Sequence, residues 1–296
     1  MGLRKGSGLL VAAVAAMLMS SGPASGATQT KDQQKCINKM NKDAIKLQAK
    51  QGKEQAECVK RETKNESTDV DVCKTADTKS KVSKRQMKTT EDANKFCVPL
   101  SPQPEFGYTS AGVINNDARN SELVLFADLY GNPADGNLYP CDPNVAECNC
   151  QRNVHDRVEK FMATMGRVWV KCKKEALKVD GVIFPAGADS EDDLDVCIED
   201  AGQPLSVAGD ILNPAGKLAE RSQNILDSIT LQACNAAPLD PFGGPECNRV
   251  ALGGSPTNAQ LRDCLQDRAE CRFCLMVEAI DNLTLDCDTF SGTTCP

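Results

Sequence analysis

Cysteine is the residue type with the clearest chemical potential in this chain, which has 296 residues and 16 cysteines. Twenty-one residues separate Cys36 from Cys58, and the same number separates Cys150 from Cys172. In each copy the next cysteine ends a similar five-residue motif. The motif is Asp-Val-Asp-Val-Cys in the first copy and Asp-Leu-Asp-Val-Cys in the second. The repeated spacing indicates a duplicated structural unit.

The chemistry expected of these cysteines depends on the compartment. Residues 1–27 are typical of an export signal, because Arg4 and Lys5 precede an apolar run over 9–19 and small residues lead to Ala27. That run is shorter than the roughly 20 residues that span a bilayer, and no later run is longer. We therefore expect an exported protein without a transmembrane segment, whose even number of cysteines forms disulfides.

Metal binding is the competing interpretation of the cysteines. Zinc sites commonly combine Cys with His, and His155 is the only histidine in the sequence. A site made of cysteine alone would need reduced thiolates, which an oxidising compartment does not maintain. We therefore expect neither a metal nor another cofactor.

The acidic run over 189–200 has enough carboxylates to bind calcium, but it departs from the EF-hand pattern. If Asp189 is the first position, Leu194 occupies the position of the invariant glycine. Cys197 also lies inside the loop, and Asp200 stands where Glu is usual. A solvated loop is the expectation, and calcium binding stays the alternative.

Catalytic patterns are sparse. Cys271 and Cys274 have the Cys-x-x-Cys spacing of thiol oxidoreductases, but they lie in a predicted helix among many other cysteines, so we expect each to pair with a separate partner. His155 adjoins a core position, and no nucleophile elbow, phosphate-binding glycine loop or dinucleotide fingerprint occurs. The few aromatic residues form no platform for nucleic acid. The sequence therefore favours a protein that is not an enzyme.

The elements that position the cysteines are helices. Apolar residues recur at steps of three and four in both Cys-x21-Cys segments, as a continuous stripe from Val154 to Val168 and as a thin stripe with polar gaps over 36–58. Such a helix holds its end cysteines about 33 Å apart, too far for a disulfide. Each cysteine should therefore pair with a returning segment, which ends at Cys97 in the first copy and at Cys234 in the second.

Antiparallel packing predicts one disulfide at each end of each hairpin. The four predicted pairs are Cys36–Cys97, Cys58–Cys73, Cys150–Cys234 and Cys172–Cys197. The other eight cysteines allow too many connectivities to assign; they are Cys141, Cys148, Cys247, Cys264, Cys271, Cys274, Cys287 and Cys295. Because the first hairpin is poor in large apolar residues, we expect its disulfides to stand in for a missing core.

The predicted fold is all-α and disulfide-rich. Its segments are a signal peptide (1–27), a basic helical hairpin (28–97), a linker with a short helix (98–147), a second helical hairpin (148–234) and a C-terminal cysteine-rich helical segment (235–296). The linker helix is predicted at Asn120–Leu129, and the second hairpin's returning helix starts near Pro214. The last helix begins at Ser255 or Thr257 and ends near Ile280.

Charge is distributed unevenly along the chain. Residues 28–97 carry 17 Lys/Arg and 11 Asp/Glu, a balance of +6, whereas residues 98–296 carry 15 and 30, a balance of −15. The basic segment is suited to docking on an anionic surface or polymer. The alternative is a lysine-coated helical face that only contacts solvent.

Three C-terminal motifs resemble the C-terminal ends of a group of exported, cysteine-rich helical bacterial proteins for which no activity is known. These motifs are Cys264–Leu265, Cys271–Leu275 and Asp286–Phe290. The resemblance extends to Phe106–Tyr108 and to the hairpins. It implies export and supplies no catalytic residue. Our leading hypothesis is a non-enzymatic exported structural or interaction protein. The alternative is an electrostatic binding module for anionic surfaces, and a thiol oxidoreductase is less favoured.

Overall fold

The computed structural model describes residues 28–64, 69–134, 137–234 and 240–295. The predicted signal peptide, 1–27, lies outside these residues. The described chain contains helices and no strand, so the fold is all-α and disulfide-rich, as predicted. Within the described ranges, no helix combines the length and the hydropathy needed to cross a bilayer.

The first hairpin consists of α1 (Lys31–Glu62), α2 (Val70–Ala76) and α3 (Lys81–Phe96). A capping box starts α1: the Thr30 side chain accepts from the Gln33 backbone, and the Gln33 side chain accepts from the Thr30 backbone. The returning segment is broken because Asp77 adopts a left-handed conformation, with φ 43°, and ends α2. Its carboxylate then accepts from the backbone N–H groups of Val82 and Ser83 in the first turn of α3.

The linker helix α4 (Ala111–Tyr130) is longer than the predicted Asn120–Leu129. It begins at Ser110, whose side chain accepts from the Val113 backbone. The prediction was wrong at this end because the first half of α4 buries few apolar side chains, chiefly Ile114 and Ala118, and so shows no clear stripe.

The second hairpin contains α5 (Val145–Ala176), α6 (Asp192–Asp195), α7 (Val207–Leu212) and α8 (Lys217–Leu231). The returning helix, α8, starts three residues after Pro214 and buries Leu218, Ile225 and Ile229. Helix α7 was not predicted from the sequence. Its six residues are too short for a periodic pattern, although Ser206 caps it.

Two helices complete the chain, α9 (Asn258–Asp281) and α10 (Cys287–Ser291). Thr257, one of the two predicted caps, starts α9 by forming a capping box with Gln260. Asn282 ends the helix in a left-handed conformation, with φ 56°.

All sixteen cysteines lie in described parts of the chain, and each is bonded to another. The four hairpin pairs are those that the spacing predicts, with Cα–Cα distances of 5.0 Å for Cys36–Cys97, 5.8 Å for Cys58–Cys73, 5.6 Å for Cys150–Cys234 and 5.5 Å for Cys172–Cys197. The other pairs are Cys141–Cys148, Cys247–Cys264, Cys271–Cys295 and Cys274–Cys287. So many disulfides suit an oxidising compartment.

The expectation that disulfides replace a missing core is wrong. Buried apolar side chains from both hairpins, α4 and α9 form one cluster, in which Phe126, Phe161 and Trp169 are fully buried. The first hairpin joins this cluster because α1 packs against α3, α4 and α5. Met87 of α3 is 58% exposed and contributes little.

The contact between α1 and α5 uses glycine on both helices. At Gly166 of α5, an added Cβ would lie 2.5 Å from Cδ1 of Ile45, so the missing side chain makes room for this isoleucine. Gly52, seven residues after Ile45 on α1, leaves room for the carboxyl group of Glu159, seven residues before Gly166 on α5. The two pairs run in opposite directions along the chain, so α1 and α5 are antiparallel.

Candidate functional site

A groove of about 750 Å³ lies between the exposed edges of α1 and α5. Its floor is formed by small and apolar residues from both helices: Ile45, Ala49, Ala163, Gly166 and Val170. The two helices approach closely at Gly166, where an added Cβ would clash with Ile45. A cleft of this volume falls in the range of small-molecule sites.

The walls of the groove are cationic. Six basic residues line it, four from α1 and two from α5: Lys35, Lys39, Lys42, Lys46, Arg167 and Lys174. None of the described residues that line it is acidic. The four lysines of α1 follow one another at steps of four, three and four residues, which places them on one face of the helix.

One of the wall lysines is already paired. Lys39 Nζ lies 3.0 Å from an oxygen of Asp43 and also contacts Asp92 of α3. The fully buried carboxylate of Asp43 is shared with Arg85. These contacts tie α1 to α3 and neutralise the charge of Lys39.

The charges of Lys42, Lys46 and Lys174 are exposed and have no ion-pair partner in the part of the chain that the structure describes. The pKa of Lys46 is lowered, first by partial burial and then by the positive charges of Arg85 and Lys42. Because the charges of Arg85 and Lys42 contribute to this lowered pKa, an anion in the groove would relieve part of the repulsion. The site is therefore electrostatically suited to a negatively charged ligand.

The cysteines singled out in the sequence do not line the groove. The eight hairpin cysteines, Cys36, Cys58, Cys73, Cys97, Cys150, Cys172, Cys197 and Cys234, close the hairpin ends and hold α1 and α5 in place. Cys271 and Cys274 do not bond to each other, because their partners are Cys295 and Cys287.

The acidic run over 189–200 forms α6 and the turns beside it. The Asp193 carboxylate accepts from the Asp189 backbone at 2.9 Å. Burial, followed by the nearby carboxylates of Glu199 and Asp192, raises the pKa of Asp195 to about 7. In the described residues, no three His, Cys, Asp or Glu side chains come together in a geometry that could hold a metal ion.

His155 lies in a polar cluster inside the protein and is 1% exposed. Burial lowers its pKa to about 4. Burial also raises the pKa of Glu159, one turn further on, to about 7. The pKa of Glu122 is raised well above its ordinary value, by burial and then by the Glu159 charge. This cluster is mostly buried, although the Glu159 side chain is 13% exposed, and its residues do not line the groove.

In the sequence, the lysines of α1 that line the groove are recognisable only as part of a basic segment. The spacing of these lysines, four, three and four residues, predicts a cationic stripe along one face of the helix. This spacing was the signal from which the wall of the groove could have been found. Nothing in the sequence links that stripe to Arg167 and Lys174, which lie more than 100 residues away in the second hairpin. The cationic surface is therefore not confined to 28–97.

Comparisons with known proteins give no match for this chain. No protein-family model matches it, and neither does a curated protein or a solved structure. Its function is therefore inferred from the geometry and charge of the groove.

Proposed function

We propose that this protein is an exported, non-catalytic binding protein that holds a long-chain fatty acid anion in the groove between α1 and α5. The observation that supports this proposal is the combination, in one cleft, of an apolar floor with cationic walls. A fatty acid has the matching division into a carboxylate and an apolar chain. Neither an inorganic anion nor a neutral lipid would use both parts of the groove.

The head group is assigned to the unpaired cations. Lys42 and Lys46 lie one turn apart on α1, so one carboxylate can contact both ammonium groups. Arg167 approaches from α5, where it donates one hydrogen bond to Thr164 Oγ1 at 2.6 Å and keeps other N–H groups for a ligand. Charge-assisted hydrogen bonds of this kind are stronger than neutral ones.

The acyl chain is assigned to the floor. The lining residues of α1 run from Lys35 to Ala49, about 21 Å along the helix axis, which matches the length of an extended long acyl chain. Each methylene group taken out of water contributes about 0.8 kcal/mol. Chain length should therefore control affinity more strongly than the identity of the head group.

The lining residues also support a binding role. None of the described residues along the groove is a carboxylate, a histidine, a cysteine or a hydroxyl, the groups that usually act as bases or nucleophiles. Export is proposed from the predicted leader over 1–27 and from eight disulfides that suit an oxidising compartment.

Calorimetric titration with oleate tests this function. Replacing Lys42 and Lys46 together by Gln should weaken binding about fivefold to tenfold, since two partly screened ion pairs are lost. The matched control replaces Lys53 and Lys60, exposed lysines of the same helix that do not line the groove. This control removes the same net charge and should bind like wild type. Equal losses in both variants, or no binding by wild type, would contradict the proposal.

A second candidate function is electrostatic docking on an anionic surface or polymer. The exposed lysines of α1 favour it, because they form a continuous stripe that a charged surface could cover. Vesicles containing phosphatidylglycerol distinguish the candidates. Binding to vesicles that falls steeply with salt, together with no binding of free oleate, would favour surface docking over the fatty acid site.

A further inference from the structure

A cluster of three polar side chains is buried where α1, α5 and α9 meet, apart from the groove. It consists of Asn41, Lys173 and Asp281, which are 1%, 0% and 0% exposed. A fully buried lysine is rare, because transferring an ammonium group out of water is costly. The proposed binding function uses none of these three groups.

Each of the three side chains contacts the other two. Lys173 Nζ forms an ion pair with Asp281 Oδ2 and donates to the Gly107 carbonyl at 3.0 Å. The amide of Asn41 lies between them. Because lysine only donates and a carboxylate only accepts, the amide oxygen accepts from Lys173 Nζ at 2.5 Å and the amide nitrogen donates to Asp281 Oδ1 at 3.1 Å.

This arrangement places the amine of Lys173 next to the amide carbon of Asn41. Cγ of Asn41 is bonded to the oxygen that Lys173 Nζ contacts, so a small movement of the lysine brings nitrogen and carbon together. The two oxygens of Asp281 face the amine and the amide nitrogen, respectively. A single carboxyl group can therefore take a proton from one nitrogen and deliver it to the other.

The surroundings favour the neutral amine that such a reaction needs. The pKa of Lys173 is lowered by burial, and burial raises the pKa of Asp281 to about 6 despite the nearby lysine. The Trp169 ring, whose centre is 5.1 Å from Lys173 Nζ, helps to keep water out. Both shifts favour transfer of the lysine proton to Asp281.

We propose that Lys173 and Asn41 react to form an isopeptide bond, which joins α5 to α1, and that Asp281 is the proton carrier. The Nζ lone pair attacks Cγ of Asn41, the Cγ–Nδ2 bond breaks, and ammonia leaves. The lysine ammonium group gives up two protons. One completes the departing ammonia and the other remains on Asp281, so an ion pair and an amide become a new amide, a neutral carboxylic acid and ammonia. No oxidant or reductant is needed.

Peptide mass spectrometry of the reduced, alkylated wild-type protein tests the proposal. The expected result is a branched peptide joining the segments that contain Asn41 and Lys173, lighter than their sum by one ammonia. Trypsin should also fail to cleave after Lys173. Linear peptides at both positions with normal cleavage would show that the cluster is only a buried ion pair and would overturn the proposal. A branch between Lys173 and Asp281 would overturn the choice of Asn41.

Two conservative variants test the roles of Asp281 and Asn41. Asp281→Asn keeps the size of the side chain but removes the proton carrier, and it should yield only linear peptides. Asn41→Asp should form the same bond with loss of water, so its branched peptide should have the same mass as that of wild type. A branched peptide in Asp281→Asn would contradict the role of Asp281. Circular dichroism of both variants establishes that they are folded.

Discussion

Ile45 of α1 occupies the space that Gly166 of α5 leaves open. An ideal Cβ at Gly166 would lie between 2.5 and 2.8 Å from three carbon atoms of the isoleucine side chain. Ile45 and Gly166 both line the floor of the groove, so this contact sets how closely the two helices approach and how deep the cleft is. The proposed site therefore depends on packing between two hairpins that are far apart in sequence.

Gly166→Ala should destabilise the protein by about 1–2 kcal/mol, because overpacking costs more than the gain in helix propensity. In the Ile45→Ala background, Gly166→Ala should cause no further loss of stability, since the clashing atoms are absent. Denaturant unfolding of the two single variants and the double variant measures this coupling.

Gly112→Ala is the matched control for that substitution. Gly112 is exposed in the first turn of α4, and the nearest atom to an added Cβ is Ser110 Oγ at 3.7 Å. This variant should be more stable than wild type by about 0.5 kcal/mol. If Gly166→Ala lowers the free energy of unfolding equally in wild type and in Ile45→Ala, the described packing of the groove floor is contradicted.

Filling the groove should separate the role of its shape from that of its charge. Ala163 is part of the floor and is partly exposed, so Ala163→Leu places a larger side chain in the cleft without changing any cation. Oleate affinity should fall about tenfold or more, while the free energy of unfolding changes by less than about 1 kcal/mol. Calorimetry and denaturant unfolding provide the two values. Unchanged affinity would place the acyl chain elsewhere.

Much of the fold could be predicted from the spacing of the cysteines. A continuous helix is too long for its end cysteines to pair with each other, so hairpins and four pairings follow from spacing alone. The position of α9 followed from a local signal as well, the cap at Thr257. Each of these inferences needs only residues that are close in sequence or joined by a rigid helix.

The environment of α1 could not be predicted in the same way. Its polar residues Gln48, Gln51 and Gln55 are all buried against other helices. Gln55, for example, donates to the Glu122 carbonyl of α4 at 2.9 Å. Such partners are set by tertiary packing over long sequence separations, which also explains why the groove and the Lys173 cluster were missed.

Stability should fall as the pH rises from 6.5 to 8. The folded-state pKa values of Glu122 and Glu159 are both raised, that of Glu159 to about 7. Their contribution to stability is therefore fully present below the ordinary pKa, near 4.5, and is lost as the pH rises through the raised folded-state values. His155, whose pKa is lowered to about 4, acts in the opposite direction only below pH 6.5. The chosen interval therefore isolates the carboxyl groups from the histidine.

Glu122→Gln tests the assignment of this pH dependence. With one carboxyl group gone, the repulsion between two buried charges cannot develop, so the fall in stability between pH 6.5 and 8 should shrink by about 1 kcal/mol. Urea unfolding at the two pH values gives the comparison. A slope equal to that of wild type would mean that other buried acids, such as Glu270 with its pKa raised to about 8, dominate.

Thiol counting and disulfide mapping should show no free cysteine under denaturing conditions. Non-reducing digestion should yield Cys271 linked to Cys295 and Cys274 linked to Cys287, together with the four hairpin pairs. A bond between Cys271 and Cys274 that mild reductants open would instead support a thiol oxidoreductase.

Photolabelling with a fatty acid that carries a diazirine on its chain tests the binding site most directly. After irradiation and digestion, the label is expected on the floor residues Ile45, Ala49, Ala163 and Val170, and excess oleate should suppress it. The Lys42→Gln/Lys46→Gln variant should be labelled less than the Lys53→Gln/Lys60→Gln control. Labelling that is spread over the surface, or that oleate does not suppress, would contradict a fatty acid site between α1 and α5.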